Sequence, residues 1–209
     1  MNKKLRSDSA LLVDPNALDG PIDFLSVFGR GGPVHIEIGF GRGTFLVSQA
    51  TAFPEENFLG IEWAAKFYRV TADRIVRRGL SNVRLLRTEA AGFVAGYVPD
   101  GSVRMFHIYF PDPWPKRRHN KRRFFSEQNL THLLRCLEVG GIINFATDHE
   151  GYYLSASRIA DCFAAEGTLG RIDFVRPAGA RDGELVGTNY ERKYRIQGRT
   201  TYTFALQKK

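Results

Sequence analysis

Cysteine is scarce in this chain of 209 residues. The two cysteines, Cys136 and Cys162, lie far apart and form no CxxC pair, which argues against a disulfide framework and against a cysteine-rich metal site. We expect two buried thiols in a reducing compartment and no bound metal.

Long apolar runs are also missing. No segment approaches the ~18 consecutive apolar residues of a membrane span. The N-terminal segment starts with basic side chains but contains no apolar core of the ~7–15 residues that a signal peptide needs. The sequence therefore predicts a cytoplasmic protein that does not enter the membrane.

Acidic residues are too few to balance the basic ones. The chain has 30 Lys and Arg against 22 Asp and Glu, which gives a formal net charge of +8 and a pI near 9.7. This excess favours a polyanionic partner, with nucleic acid first and an anionic membrane surface second. The length and a hydrophobic share of 43% fit one domain with a full core.

Short β-branched runs alternate with helical patterns along most of the chain. This alternation predicts an α/β fold: a mostly parallel, seven-stranded sheet with helices on both faces and an antiparallel last strand. An N-terminal arm with one short helix (1–32) is expected to precede the main domain (33–209). The predicted strands are 34–39, 57–63, 82–89, 102–110, 141–148, 171–177 and 200–208, and the main predicted helices are 21–29, 43–53, 64–80, 126–141, 151–167 and 188–197.

A glycine-rich turn follows the first predicted strand. Glu37 precedes Gly39, Gly41 and Gly43, and glycines at alternate positions let a backbone turn tightly and approach a ligand. The dinucleotide fingerprint is G-x-G-x-x-G, whereas here the third glycine comes one position early and Thr44 follows it. A carboxylate beside the turn repels a phosphate and attracts an amino group, so S-adenosylmethionine fits better than NAD. A turn that serves packing alone is the alternative.

Acidic residues follow the second and third strands as well, at the sheet edge where α/β folds bind ligands. Glu62 lies 21 residues beyond Gly41, a distance at which a carboxylate can accept both hydroxyls of a cofactor ribose. Glu89 suits either of two roles. It can meet an adenine amine, or it can occupy a helix N-terminus, where the dipole favours negative charge.

The stretch FPDPWPKRRHNKRRF, residues 110–124, joins a stiff turn to a dense block of positive charge. Pro111 and Pro113 fix the backbone around Asp112, which aims a carboxylate from a strand end. Trp114 either stacks on a base or plugs the core. The cations that follow would repel one another unless phosphates screened them, which favours nucleic-acid binding over a solvated surface. This basic block comprises Lys116, Arg117, Arg118, His119, Asn120, Lys121, Arg122 and Arg123.

These motifs together resemble those of bacterial tRNA (guanine-N7-)-methyltransferases. The resemblance rests on the glycine turn with its acid, on the proline-rich stretch, on ATD (146–148) and on TNYE (188–191), and the proline-rich stretch is its most specific part. It implies a Rossmann-like class I methyltransferase fold, S-adenosylmethionine as donor and a guanosine of the tRNA variable loop as acceptor.

Matched position by position, the resemblance also implies roles for residues. Cofactor contacts are expected from Glu37, Gly39, Gly41, Gly43, Glu62, Glu89 and Asp112, with Asp112 also the catalytic residue. Substrate contacts are expected from Lys116, Asp148, Thr188, Asn189, Tyr190 and Glu191, and RNA contacts from residues 118–123. The TNYE segment also reads as a helix-capping box, and a cap can position a site. The family more often has Asp or Asn where this chain has Glu89, and commonly Phe where it has Tyr190.

Guanine N7 carries a lone pair and no proton, so its methylation needs no general base. Catalysis should then depend on proximity and electrostatics. Asp112 either recognises the guanine edge or takes a proton, and the chemistry of N7 favours recognition. Two other functions stay open: a non-catalytic RNA-binding module, which leaves the glycine turn unused, and an NAD-dependent enzyme, which Thr44 disfavours. A monomer or a homodimer is expected.

Overall fold

The computed structural model describes residues 11–209, so the first ten residues of the predicted N-terminal arm lie outside the described part of the chain. Each predicted helix and strand overlaps an observed one, although the predicted strand 171–177 shares only residues 171–172 with the strand Leu169–Ile172. The helices are α1 (Phe24–Phe28), α2 (Thr44–Ala52), α3 (Ala65–Arg78), α4 (Ala90–Tyr97), α5 (Glu127–Cys136), α6 (Glu150–Ala165) and α7 (Asn189–Ile196). The strands are β1 (Leu12–Val13), β2 (Val34–Ile38), β3 (Asn57–Ile61), β4 (Val83–Leu86), β5 (Val103–Tyr109), β6 (Leu137–Thr147), β7 (Leu169–Ile172) and β8 (Tyr202–Lys208). No helix within residues 11–209 is both long and apolar enough to cross a membrane.

All strands of the described residues belong to one sheet, in the order β1-β4-β3-β2-β5-β6-β8-β7. The pairs among β1 to β6 are parallel, and β8 runs antiparallel to both β6 and β7, as predicted for the last strand. The sheet has eight strands instead of seven because Leu12 and Val13 pair with the outer edge of β4. Two residues are too few to leave a periodic signal in the sequence.

The boundary between α5 and β6 lies earlier than the sequence predicts. α5 ends at Cys136 and β6 starts at Leu137, whereas the pattern predicted helix up to residue 141. Val103 of β5 pairs with Leu137 but Met105 pairs with Ile142, so the residues in between bulge out of the ladder. Gly140, which resembled a helix stop, takes a φ of 78° in this bulge.

Side chains alternate across the sheet and build a core on each face. Ile36 and Ile38 of β2 pack with residues of α4, α5 and α6. The opposite face packs on α2 and α3. Helices on both faces are therefore confirmed. Both cysteines are free thiols, but only Cys136 is buried; the expectation of two buried thiols is wrong because Cys162 lies on an exposed face of α6.

Polar side chains of β2 and β5 lie on the α2 face. His35 Nδ1 is 3.2 Å from His107 Nε2, and His107 Nδ1 is 2.9 Å from the Tyr109 hydroxyl. Glu37 pairs with His107 across the ladder. All four side chains are buried, so the sheet carries a line of titratable groups that ends at the carboxyl ends of its strands.

The chain order of the sheet reverses between β2 and β5. From β2 the chain proceeds outward through β3 to β4, and then returns to place β5 on the other side of β2. The carboxyl ends of β2 and β5 are thus a topological switch point, where sheets of this kind bind their ligands. The predicted glycine turn follows β2, and the Asp112 turn follows β5.

Candidate active site

The glycine turn after β2 has the backbone conformation that its sequence predicts. Gly39, Gly41 and Gly43 have φ angles of 73°, 52° and 63°, in the left-handed region that favours glycine. A Cβ atom on Gly43 would lie 2.2 Å from a methyl carbon of Thr71 on α3, so the turn also packs closely against that helix.

Glu62, at the end of β3, holds this turn in place. Its carboxylate accepts hydrogen bonds from the backbone N–H groups of Gly41 at 2.9 Å and of Ala64 at 2.8 Å. Each carboxylate oxygen retains a free lone pair for a ligand hydroxyl. Glu62, the carboxylate predicted to bind the ribose, therefore connects the carboxyl ends of β2 and β3.

Glu37 is almost completely buried at the end of β2, with 4% of its surface exposed. Burial, and after it the nearby charge of Glu62, raises the pKa of Glu37 to about 8. Within residues 11–209 its Oε2 atom has no hydrogen-bond partner. A buried carboxyl oxygen without a partner is costly, and a cationic ligand group would satisfy it.

Glu89 caps α4. Its two oxygens accept hydrogen bonds from the N–H groups of Ala91 at 2.8 Å and of Gly92 at 2.7 Å. Of the two roles that the sequence left open, the cap is thus present in the structure. Glu89 also lines the cleft described below, so the adenine contact stays a prediction.

The Asp112 turn is strained at both ends. Phe110 and Trp114 have φ angles of 52° and 43°, which side chains other than glycine rarely adopt, and each precedes a proline. Between them Asp112 is exposed at the tip. Strain of this kind persists only where surrounding contacts hold it, and it concentrates at functional sites.

The basic block folds mostly as a 3-10 helix, Arg117–Arg122, directly beside this turn. The Arg122 guanidinium lies 4.9 Å from the Trp114 ring centroid, and the His119 ring meets Trp114 edge-on at 5.9 Å. Trp114 thus stands at the cleft wall and is not a core plug. Among the described residues no carboxylate forms an ion pair with any cation of 116–122. Arg123 differs from the others because it is buried.

The C-terminal segment brings TNYE to the glycine turn. After β7 the chain crosses α2, where Gln49 Nε2 donates to the Ala178 carbonyl at 2.6 Å. The Thr188 hydroxyl then caps α7 by accepting the N–H of Glu191 at 3.0 Å. The Glu191 carboxylate is buried and accepts three backbone N–H groups of the preceding loop, those of Leu185, Val186 and Gly187. The predicted cap is therefore present, but its glutamate binds the loop before Thr188.

Asp148, after β6, is held by Arg199. The Arg199 guanidinium donates to its Oδ2 at 2.6 Å and lies 4.8 Å from the Tyr194 ring centroid. Tyr194 in turn contacts the Phe110 ring at 5.7 Å. Helix α7 is thereby packed against the Asp112 turn.

A cleft of about 450 Å³ lies where these segments meet. Predicted residues in its wall are Gly39, Glu62, Glu89, Asp112, Arg122, Asp148 and Tyr190. A small hollow that shares Gly39, Tyr109 and Tyr190 with the cleft adds Glu37, Thr188 and Asn189. Gly41, Gly43 and Glu191 stand behind these walls as supports, and Lys116 and residues 118–121 lie on the surface outside both spaces.

Sequence reasoning missed several wall residues. Trp63 lines the cleft although it is 70% exposed, and Phe67 and Tyr194 line it too. A tryptophan directly after the predicted ribose acid was a signal that could have been used. Tyr194 follows TNYE by one helical turn, but only the packing of α7 shows which side it faces.

Comparisons with known proteins agree with this geometry. Residues 31–204 match the model of a family described as putative methyltransferase. The chain is 37% identical over 188 residues to a tRNA (guanine-N(7)-)-methyltransferase of Thermotoga maritima, a match that covers 90% of this chain and 58% of that protein. A protein of the same name from Geobacter metallireducens is 32% identical over 97% of this chain and 94% of its own length. This chain belongs to the tRNA (guanine-N7-)-methyltransferase family. The predicted family is confirmed.

The chain spans a little over half the length of some of these relatives: 58% of the T. maritima protein and 56% of one from Klebsiella pneumoniae. Among solved structures, the 16S rRNA methyltransferase KamB superposes with a TM-score of 0.64 at 15% identity, over 88% of this chain and 91% of that one. A SAM-dependent methyltransferase from Aquifex aeolicus gives 0.53 at 14% identity, over 88% and 86%. These likenesses confirm the methyltransferase fold.

Proposed function

We propose that this protein transfers a methyl group from S-adenosylmethionine to N7 of a guanosine in the variable loop of tRNA. One observation carries the proposal: a single cleft is bounded by Gly39 and Glu62 on one side and by Asp112 and Arg122 on the other, and Arg122 belongs to the exposed basic stretch 116–122. Membership of the family supports the same activity.

The residues present fit S-adenosylmethionine. The buried Oε2 of Glu37, which has no partner among residues 11–209, suits an ammonium group. Glu62 suits ribose hydroxyls, and Glu89 suits an adenine amine. A pyrophosphate would instead meet the Glu62 carboxylate, which already accepts the Gly41 N–H of the glycine turn, and this disfavours NAD. When bound, S-adenosylmethionine supplies an electrophilic methyl group.

The chain's own contribution is alignment and electrostatics. Guanine N7 carries no proton, so no side chain needs to act as a base toward it. Asp112, exposed at the tip of a rigid turn, can accept hydrogen bonds from guanine N1–H and N2–H₂ and so select guanine over adenine. Alignment of the methyl donor with guanine N7 can account for ~7–11 kcal/mol of the barrier.

The exposed cations of residues 116–122 would bind the phosphates that flank the target base. The base must leave its contacts in folded tRNA to reach Asp112, and Trp63 and Trp114 offer apolar surfaces at the cleft wall for an extruded ring. A tRNA substrate also favours a cytoplasmic location. A monomer or a homodimer stays a prediction.

Methyl transfer to bulk unmodified tRNA, followed by nucleoside analysis, tests this function. The expected product is 7-methylguanosine. If tRNA binds but receives no methyl group, the non-catalytic RNA-binding module is the better account. Parallel titrations should show binding of S-adenosylmethionine and none of NAD; the reverse would favour an NAD-dependent enzyme.

A further inference from the structure

Arg123, the last cation of the basic block, points into the protein. It is 8% exposed, whereas Lys116, Arg118, Lys121 and Arg122 are exposed. Within residues 11–209 no carboxylate forms an ion pair with it. A buried guanidinium must recover its lost hydration through hydrogen bonds, so its neutral partners determine where it sits.

Those partners lie on two separate segments. Arg123 Nε donates to the Pro113 carbonyl at 2.8 Å. Its Nη1 donates to the Gly151 carbonyl at 3.4 Å and to the Ser155 hydroxyl at 3.2 Å. The guanidinium also lies 4.8 Å from the centroid of the Tyr152 ring, which is completely buried.

The two segments both carry candidate site residues. Pro113 directly follows Asp112 in the strained turn, and Gly151 and Ser155 belong to α6, which begins two residues after Asp148. Arg123 is thus the side chain that ties the turn after β5 to the helix after β6. A turn with two strained residues needs such an external tie to keep one conformation.

We propose that Arg123 is a positioning residue for methyl transfer, which fixes the Asp112 turn against α6, and that it does not contact RNA. The kinetic part of this inference rests on the proposed function. The basic block then divides into two parts: residues 116–122 face the substrate, and Arg123 holds the turn from behind.

Lysine substitution separates the two roles. A phosphate contact needs a positive charge and tolerates lysine, whereas the contacts of Arg123 need a planar fork that reaches two segments at once. Arg123→Lys and Arg123→Ala should therefore both lower kcat, by up to roughly 10²-fold for a misplaced turn. The tRNA affinity and its salt dependence should stay at the wild-type values.

Arg118 supplies the matched control, because it is an exposed arginine of the same block. Arg118→Ala should reduce the slope of log affinity against log salt by about 0.7–0.9, and Arg118→Lys should restore that slope. If Arg123→Ala changes the slope in the same way and Arg123→Lys restores it, Arg123 is an RNA contact and the proposal is overturned.

A spectroscopic readout tests the tie without any tRNA. The chain has two tryptophans, so Trp63→Phe leaves Trp114 as the only one. In that background Arg123→Lys should shift the Trp114 emission and increase its quenching by acrylamide, because the turn loosens. Unchanged emission would overturn the proposal. This fluorescence measurement does not depend on methyl transfer. If the wild-type protein shows no methyl transfer, the proposed function is wrong, but the fluorescence still tests the contact between Arg123 and the turn.

Ser155→Ala guards against an Arg123 variant that fails to fold. It removes one contact from the far side of the turn, on α6, and leaves the charge in place. A positioning role predicts a smaller fall in kcat, roughly two- to tenfold, with the same direction of change in Trp114 emission. If Ser155→Ala and Arg123→Lys both keep the wild-type kcat and the wild-type Trp114 emission, the positioning role is contradicted.

Discussion

The ring of Tyr190 covers Gly41: its Cε2 atom lies 3.0 Å from the position that a Cβ on Gly41 would occupy. Helix α7 and the glycine turn, which are far apart in the sequence, therefore close one wall of the cleft together. Gly41 also has a φ of 52°, so both its backbone angle and its surroundings call for glycine.

Gly41→Ala should weaken S-adenosylmethionine binding by displacing Tyr190 or the turn. Gly101→Ala is the matched control, because Gly101 has a φ of 60° but no atom near its missing Cβ. Both variants should lose about 1–2 kcal/mol of unfolding free energy through backbone strain, and only Gly41→Ala should lose cofactor affinity. Thermal unfolding and calorimetric titration measure the two effects. Equal cofactor affinity in both variants would contradict a role for the Tyr190–Gly41 contact in cofactor binding.

If Glu37 binds the ammonium group as proposed, cofactor binding should depend on pH. Burial raises the pKa of its carboxyl to about 8, so it is protonated in the free protein at neutral pH. An ammonium group favours the ionised form, so binding should release a proton and affinity should rise with pH, by up to about tenfold per unit between roughly pH 6 and 7.5. Glu37→Gln should bind weakly without this slope. Titrations in two buffers of different ionisation enthalpy measure the proton, and no proton release would contradict this role.

Glu37 also has a consequence for stability. Its pKa in the folded protein, about 8, lies above the usual value of 4.5. The unfolding free energy should therefore be highest below pH 4.5 and should fall as the pH rises toward 8. S-adenosylmethionine should reduce this loss, because the proposed contact gives the ionised carboxylate a partner.

His35 predicts the opposite pH dependence of stability. Burial, and after it the charge of Arg104, lowers the pKa of His35 to about 4, and its neighbour His107 is lowered well below its usual value for the same first reason. Glu56 Oε2 lies 3.2 Å from His35 Nε2, a contact that favours the charged imidazole, but burial outweighs it at His35 and also raises the pKa of Glu56. His35 is thus neutral when folded and takes up a proton on unfolding, so stability present above pH 6.5 should fall toward pH 4, by up to about 3 kcal/mol. Urea unfolding at several pH values across this range should show that the unfolding free energy of His35→Asn changes less with pH than that of the wild type. An unchanged pH dependence would contradict the assignment.

Asp112→Asn distinguishes edge recognition from general-base catalysis. The amide keeps the shape but turns one acceptor into a donor facing guanine N1–H and N2–H₂. Methyl transfer should fall by about 10²-fold or more. A tRNA with inosine at the target lacks the N2 amine, so it should be a poor acceptor for the wild type and a relatively better one for Asp112→Asn. Unchanged discrimination between guanosine and inosine in the variant would rule out edge recognition.

Much of the fold followed from the sequence because its signals are local. The β-branched run of β2 and the glycines after it, or the prolines around Asp112, act on the residues beside them. The strand-end acids could then be grouped at one edge, because parallel strands end there together. Leu12 and Val13 gave no such signal, because their strand exists only through the edge of β4.

The details that the sequence did not predict depend on contacts distant in sequence. Gly140 looks like a helix stop until the ladder with β5 shows a bulge. In the sequence Arg123 cannot be distinguished from the other basic residues of 116–123. Only the structure shows that it donates to the Gly151 carbonyl and the Ser155 hydroxyl of α6. Glu191 reads as a capping-box residue, and only the loop before Thr188 shows what its carboxylate binds.

Replacement of the target guanosine by 7-deazaguanosine tests the central claim most directly. The analogue keeps the N1–H and N2–H₂ edge proposed to face Asp112 but has carbon in place of N7. We expect the protein to bind the substituted tRNA as tightly as the guanosine tRNA, and to methylate the guanosine tRNA but not the analogue. Equal methyl transfer to both tRNAs, or transfer to neither, would contradict it.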